Sequence, residues 1–222
     1  ALAFEPLAAD GDPVSAGTSV AEVAGPARVV LAAERTALNA LMVLSGIASE
    51  ARRWQEAAGS AVVVLDTRKT LPGLRALSKW AVACGGGRPH RTGVWDMVLI
   101  KDNHVRLAGG IAPAIAAARR KHPGLGVEAE AETVEQAEEA AGAGADIVLL
   151  DNMDSATIRL AVERVRQASG SGGKRCLTEA SGGIVLDRLA EVVACGVDRV
   201  SSSALTLAQP LDFGFDESEA LG

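Results

Sequence analysis

A chain of 222 residues accommodates one large domain, or one domain and part of a second. At 48% hydrophobic but only 3% aromatic, its core is aliphatic, which argues against an aromatic-rich sandwich. A net charge of −6 speaks against non-specific nucleic-acid binding, and no unbroken apolar run approaches the ~20 residues of a membrane span.

Residues 1–33 show short alternating runs broken at Asp10-Gly11-Asp12-Pro13 and Ala16-Gly17-Thr18, the pattern of a few strands of a small sandwich. The chain opens on Ala1 in mid-pattern, without Met, and a segment upstream is expected. A long helix follows over 33–58. Apolar strand segments then recur at 62–65, 97–100, 127–131, 147–150, 176–180 and 197–201. Helices fill the intervals. One spans 71–84, with Pro72 at its start, and an Ala-rich one spans 111–121, ending before Pro123. A third, 134–141, is capped by Thr133 and ended by Gly142; 155–168 opens on Ser155, and 186–195 ends at Gly196. Gly170-Ser171-Gly172-Gly173 reads as a loop. The tail over 210–216 alternates, with Leu211, Phe213 and Phe215 on one face, and is expected to return to the small domain. The divisions expected are a partial small domain over 1–33, a catalytic domain over 34–205 and a tail over 206–222.

Alternating strands and helices mean parallel strands with helical crossovers. Six units suit an open doubly wound sheet or a barrel, and the polar residues at the strand ends decide. They are Asp66-Thr67-Arg68-Lys69, Lys101-Asp102, Glu130, Asp151-Asn152, Glu179-Ala180-Ser181 and Ser201-Ser202-Ser203. An open sheet gathers functional groups at one switch point, whereas a barrel spreads them around a ring. The spread predicts an α/β fold, a parallel (β/α) barrel of about six strands with a partial N-terminal sandwich domain.

Positive charge is local. Arg68-Lys69 and Lys101-Asp102-Asn103-His104 each follow an apolar strand, with the basic loop Gly85-Gly86-Gly87-Arg88-Pro89-His90-Arg91 between them. Packing gives an apolar strand no reason to end this way; a polyanion to be held does. Arg68, Lys69, Arg91 and Lys101 are a candidate cationic lining, Arg suited to bidentate carboxylate recognition and Lys to a point charge near phosphate. Surface salt bridging explains any one of them, and explains poorly all four flanked by Gly, His and strand ends. His90 and His104 are candidate partners for the same anion, while His122 reads as surface. Glu128, Glu130 and Glu132 alternate along one strand and point the same way; a solvated strand face is the alternative reading for Glu128 and Glu132. Glu130 and Asp151, on successive strands, suit Mg²⁺ held through water, or ribose hydroxyls. Ser181-Gly182-Gly183, between a strand and a helix on one of the last two βα loops, lets backbone N–H groups approach a phosphate. Trp54, Trp80 and Trp95 read as packing residues. Cys84, Cys176 and Cys195 have no close-spaced ligand pattern; they are expected to be small buried apolar groups in a reducing compartment. No spaced His/Cys cluster for zinc, Gly-x-Ser-x-Gly elbow or Walker loop is present.

Six motifs occur in order: Glu34-Arg35-Thr36-Ala37-Leu38-Asn39, Leu44-Ser45-Gly46-Ile47-Ala48, Asp66-Thr67-Arg68-Lys69-Thr70, Leu99-Ile100-Lys101-Asp102-Asn103-His104, Leu149-Leu150-Asp151-Asn152-Met153 and Glu179-Ala180-Ser181-Gly182-Gly183-Ile184. In these, from about residue 10 to the C-terminus, the chain resembles the quinolinate phosphoribosyltransferase family, the carboxylating nicotinate-nucleotide pyrophosphorylases of NAD biosynthesis. The resemblance implies an α/β barrel, an open-faced sandwich domain and a homodimer in which one subunit's small domain caps the other's barrel. It also implies quinolinate and phosphoribosyl pyrophosphate as substrates and Mg²⁺ as cofactor, while the charge, the apolar runs and the cysteines lead to the expectation of no nucleic acid, no membrane and a cytoplasmic location. By the same resemblance Arg68, Lys69 and Arg91, with His90 beside them, grip the quinolinate carboxylates, and Arg35 reaches in from the other subunit. Lys101 and His104 face the pyrophosphate and ribose. Glu130 and Asp151 hold the ribose hydroxyls and the metal. Ser181, Gly182 and Gly183 seat the 5′-phosphate, with Ser203 nearby. Lys69, Lys101, Glu130 and Asp151 are the implied catalytic groups. Ser203 replaces the family's usual Gly, Leu207 its usual His, and Pro89 the Asn of its Asn-His-Arg loop. The competing readings are a related phosphoribosyltransferase for another aromatic acid, a non-catalytic protein that binds phosphoribosyl ligands, and an isomerase or lyase barrel using Glu130 and Asp151 as an acid/base pair.

Overall fold

Strand alternation sorts the residues of the sheet into two faces, and the computed structural model, which describes residues 1–169 and 175–217, shows what each face buries. The central sheet has six strands: β3 (Val63–Leu65), β4 (Val98–Ile100), β5 (Val127–Ala131), β6 (Ile147–Asp151), β7 (Leu177–Ser181) and β8 (Arg199–Ser201). All neighbouring pairs are parallel, in the order β3-β8-β7-β6-β5-β4. Val64, Ile100, Ala129, Val148, Leu150, Ala180 and Val200 point outward into one aliphatic core shared with the helices. The alternate residues, among them Leu65, Glu128, Ile147, Leu149 and Glu179, are buried on the inner face. The sheet curls enough for His90, hydrogen-bonded beside β3, to reach both Glu128 on β5 and Glu179 on β7. Among the described residues β3 and β4 do not pair with each other. Arg88 forms a parallel bridge with Leu65 instead, so the stretch that follows it covers the open side of the ring.

The helices are α1 (Ala27–Ala58), α2 (Arg75–Cys84), α3 (Asp102–Ala108), α4 (Ile111–Lys121), α5 (Val134–Gly142), α6 (Ser155–Ala168) and α7 (Leu186–Val193). Thr133 caps α5 by accepting from the Gln136 N–H, as its position suggests. The cap of α6 is Asp154, one residue before the expected Ser155, and it accepts from the Thr157 N–H. Pro72 lies outside α2, which starts at Arg75. The short α3 is absent from the sequence reading because its span lacks an apolar stripe; none of its residues is buried.

Helix α1 begins at Ala27 and is longer than expected. Its second half buries Ile47, Ala51, Trp54 and Ala58, a 4-3-4 spacing that forms one stripe. Trp54 is 1% exposed, and truncating an aromatic in such a site costs about 3–5 kcal/mol. Its first half is apolar but exposed, so α1 is long and apolar enough, by length and composition, to cross a membrane: one 18-residue window has a mean hydropathy of 1.3 with 11% of it buried. Charges at Arg28, Glu34, Arg35 and Glu50 interrupt the apolar run along this helix.

Two antiparallel strands, β1 (Ala3–Pro6) and β2 (Ala21–Ala24), make a separate small sheet. The tail does not pair with it in the described residues. It crosses α1 instead, where the Leu211 N–H donates to the Met42 carbonyl. Gly46 permits this crossing, because a Cβ there would collide with the Gln209 carbonyl. Residues 170–173 of the expected Gly/Ser loop lie outside the described residues. Trp80 and Trp95 are 60% and 70% exposed, which corrects their reading as packing residues. Cys176 and Cys195 are buried, Cys84 only partly so, and all three are unpaired.

Candidate active site

The inward residues at the C-terminal ends of the strands form the ring that the sequence predicts. Lys101 Nζ lies 3.0 Å from Glu130 Oε2, joining β4 to β5. Asp151 is in register with Ser181, and the Ser201 Oγ donates to the Ser181 Oγ over 3.0 Å. Glu130 is in register with Leu149, two residues before Asp151 on the same inner face, so the two carboxylates are diagonal neighbours at the mouth. His104 accepts the Lys101 N–H on Nδ1 at 3.0 Å, which fixes the ring at the start of α3. Lys69 is exposed; its carbonyl is held by the Thr206 hydroxyl at 2.6 Å, and Ser203 sits half-buried in the same turn.

After β7 the chain turns through Ser181-Gly182-Gly183, with φ of 85° and 60° at the two glycines. A Cβ on Gly182 would run into the Asn152 side chain and lie 2.7 Å from its backbone nitrogen. Helix α7 starts three residues later, at Leu186, so the turn itself and not the first helical turn faces the mouth. Asn152, quoted in a motif but not singled out from the sequence, donates its Nδ2 to Asp151 Oδ2 at 2.8 Å and orients that carboxylate.

The loops that carry Arg68 and Arg91 lie side by side, tied by Arg75, which donates to the Arg68 and Thr92 carbonyls. Burial, and after it the neighbouring charge of Arg68, pulls the Arg91 guanidinium below its ordinary value. Arg91 Nη1 donates to the Met97 carbonyl at 3.4 Å, and a cleft of about 310 Å³ opens beside it, lined also by Arg88, His90 and Arg199. Arg88, Arg91 and Arg199 give this cleft a cationic lining, with the exposed Arg68 on the neighbouring loop, a setting that suits an incoming anion.

The ring of His90 turns inward. Nε2 lies 3.2 Å from Glu128 Oε2 and 3.3 Å from Glu179 Oε1, and Arg199 stands 3.9 Å from Glu179. Glu128 and Glu179 are 0% exposed, so the solvated-face reading of Glu128 is corrected, whereas Glu132 is exposed as that reading has it. Burial lowers the affinity of the imidazole for a proton, but the hydrogen bonds and charges of Glu128 and Glu179 reverse this and push it up to about 10. The Arg91 N–H opposes a doubly protonated ring, because it donates to Nδ1 over 2.7 Å. Nδ1 is therefore the acceptor and the ring proton sits on Nε2, aimed at the carboxylates. The second proton belongs on Glu128, whose carboxyl is pushed up by burial and by Glu179. His90, Glu128 and Glu179 have the proximity of a metal site, but an Nε2–H ring does not ligate through Nε2, so the group holds a proton.

Arg35 stands apart. It lies on the exposed first half of α1, paired with Glu34 at 3.2 Å. Lys79, absent from the sequence reading, is buried against Asp66 at 2.6 Å. Nothing in its setting on a helix, Ser78-Lys79-Trp80, marks it as different from a surface lysine.

Two family profiles cover nearly the whole chain. The quinolinate phosphoribosyl transferase N-terminal domain matches residues 1–45, and the C-terminal domain of the same family matches 47–216. A probable nicotinate-nucleotide pyrophosphorylase [carboxylating] of Synechocystis is 41% identical over 211 residues, covering 94% of this chain and 70% of the relative. The nicotinate-nucleotide pyrophosphorylase [carboxylating] of Mycobacterium leprae is 40% identical, covering 93% and 72%. The crystal structure of NadC from Streptococcus pyogenes superposes with a TM-score of 0.89 at 40% identity, over 97% of this chain and 75% of that one. Six parallel strands ringed by paired cations and carboxylates, together with these matches, establish that the chain belongs to the quinolinate phosphoribosyl transferase family.

Proposed function

We propose that this chain transfers the phosphoribosyl group of phosphoribosyl pyrophosphate to quinolinate with loss of CO₂. The products are nicotinate mononucleotide and pyrophosphate, a step of NAD biosynthesis. The observation that carries this reading is the arginine-lined cleft at Arg91, with the Arg68 loop tied alongside it through Arg75. Quinolinate presents adjacent carboxylates on one rigid ring, and two converging guanidiniums match them as one carboxylate alone would not. Lys69, on the same loop as Arg68, adds a third cation.

The ring nitrogen attacks ribose C1 while the bond from C1 to the pyrophosphate oxygen breaks and its electrons leave with pyrophosphate. Positive charge grows on the sugar, where Glu130 and Asp151 stand at the mouth, and Lys101 meets the negative leaving group. His104 adds a polar edge beside Lys101. The 5′-phosphate sits on the backbone of Ser181, Gly182 and Gly183, with Ser203 at its margin. The pyridinium then holds the electron pair left on the neighbouring ring carbon when its carboxylate departs as CO₂, and that carbon takes a proton from water. No side-chain nucleophile is required. Glu130 and Asp151 offer the hard oxygen donors that fit Mg²⁺, a cation held by one or two carboxylates with water and substrate phosphates. Bound there, it supplies charge neutralisation on the leaving pyrophosphate.

The working unit is a homodimer. Leu2 just before β1, Phe4 on it, and Val29 and Leu31 on the first half of α1 are apolar and more than 40% exposed at each residue, a surface which a second copy covers. Arg35 on that surface then faces the partner's barrel. Three unpaired cysteines suit a reducing, cytoplasmic setting.

Arg91→Ala tests the carboxylate clamp. The KM for quinolinate rises about 10–100-fold, the loss of one charged hydrogen-bonded contact, and the KM for phosphoribosyl pyrophosphate stays within about twofold. An equal rise in both removes Arg91 from the carboxylate site.

A further inference from the structure

The two arginines of the clamp sit on separate loops, one following β3 and one following α2, and neither loop is regular structure. Something must hold their separation to the few tenths of an ångström that a bidentate grip on a rigid dicarboxylate requires. The inner face of α2 supplies it. Lys79 Nζ contacts Asp66 Oδ1 at 2.6 Å and donates to the His90 carbonyl at 2.8 Å. The His90 N–H donates back to the same Asp66 Oδ1 at 2.7 Å. Asp66 is two residues before Arg68, and His90 immediately precedes Arg91. One turn earlier on α2, Arg75 donates to the Arg68 carbonyl and to the Thr92 carbonyl, each at 3.4 Å. Arg75 and Lys79 are four residues apart, so they project from one side of the helix.

We propose that Lys79, with Arg75 beside it, is a positioning residue that staples the Arg68 loop to the Arg91 loop and so sets the spacing of the dicarboxylate clamp. The staple rests on the reading of Arg68 and Arg91 given above. Lys79 and Asp66 are 5% and 0% exposed, a burial that costs an ion pair its solvation. A buried pair is weak as a source of stability, since apolar replacements often serve as well. Its short bonds to the backbone that carries both arginines give it another use. The remaining ties of His90 run the same way: its ring is braced by Glu128 and Glu179, and its Nδ1 takes the Arg91 N–H. The residue that sequence offered as an anion ligand thus spends its polar atoms on holding its neighbour in place.

The test uses the full chain, with steady-state KM for both substrates and thermal unfolding. Lys79→Met leaves Asp66 buried and unpaired. It is expected to lower the melting temperature and raise the KM for quinolinate about tenfold, with that for phosphoribosyl pyrophosphate within twofold. The double variant Lys79→Met/Asp66→Asn removes both charges. It is expected to regain most of the melting temperature while keeping the raised quinolinate KM, because the tie to the His90 carbonyl is still missing. It also carries the test if the single variant does not fold. A double variant with a wild-type quinolinate KM overturns the proposal, as does an equal rise in both KM values. Should the wild-type chain fail to bind quinolinate in a titration calorimeter, the clamp reading itself falls and the staple with it; normal wild-type binding with an unaffected double variant removes the staple alone.

Discussion

Asn152 is the one non-glycine with a positive φ, 55°, among the described residues, and it stands at the mouth with its back to Gly182. Backbone of this kind costs energy and persists where the surroundings fix it. Here it lets one side chain orient Asp151 while the facing glycine keeps the turn open. Gly182→Ala adds a Cβ to a φ of 85° and drives it against Asn152. The variant is expected to lose about 1–3 kcal/mol of stability and to bind phosphoribosyl pyrophosphate more weakly, with quinolinate binding kept. Thermal denaturation and the two KM values check this; a raised quinolinate KM alone would place Gly182 elsewhere. At this scale residue type was the legible signal. Arg68, Lys101, Glu130, Asp151 and Ser181 declare themselves by standing at the ends of apolar strands. The direction of the His90 ring and the depth of Lys79 were not legible: the first depends on Glu128 and Glu179, on two strands distant in sequence, and the second on Asp66 and the His90 carbonyl folding over the helix that carries Lys79.

Between elements, buried charge ties the strands together across the inside of the curl. His90 joins β5 to β7 through Glu128 and Glu179, and Arg199 adds β8. This cluster makes stability depend on pH, with a defined sign. The two glutamates push His90 up to about 10 against an ordinary 6.5, so the folded chain retains a proton that the unfolded chain has released above that lower value. The contribution is fully present below pH 6.5 and is lost as pH rises toward 10. The same sign holds wherever in the cluster the proton rests, because linkage counts protons and not their addresses. The melting temperature is expected to fall between pH 7 and 10, and His90→Gln to flatten that slope; a rise with pH in the native chain contradicts the cluster. The strand positions of the elements were readable from apolar runs, and α4 and α6 have the expected limits. The start of α1 and the whole of α3 were not, because exposed helix carries no apolar period to read.

Taken whole, the molecule has a net charge of −6 yet gathers Arg88, Arg91 and Arg199 along one cleft and Lys101 at the neighbouring strand end, so positive charge is local to the mouth. Curvature of the sheet was inferred from the spread of polar residues over six strand ends, and the inward meeting of β5 and β7 at His90 bears it out. Which residues lie across the unpaired side, between β3 and β4, was not readable, since the Arg88 bridge involves a single residue with no pattern. The exposed apolar half of α1 and the small sheet are the surface on which we propose that a second copy seats. The decisive measurement is turnover by the whole chain: quinolinate, phosphoribosyl pyrophosphate and Mg²⁺ incubated with the purified protein, with CO₂ release and nicotinate mononucleotide followed by mass. Stoichiometric formation of both, abolished by Lys101→Ala, is the predicted result; binding of both substrates with neither CO₂ nor nucleotide formed would contradict the account.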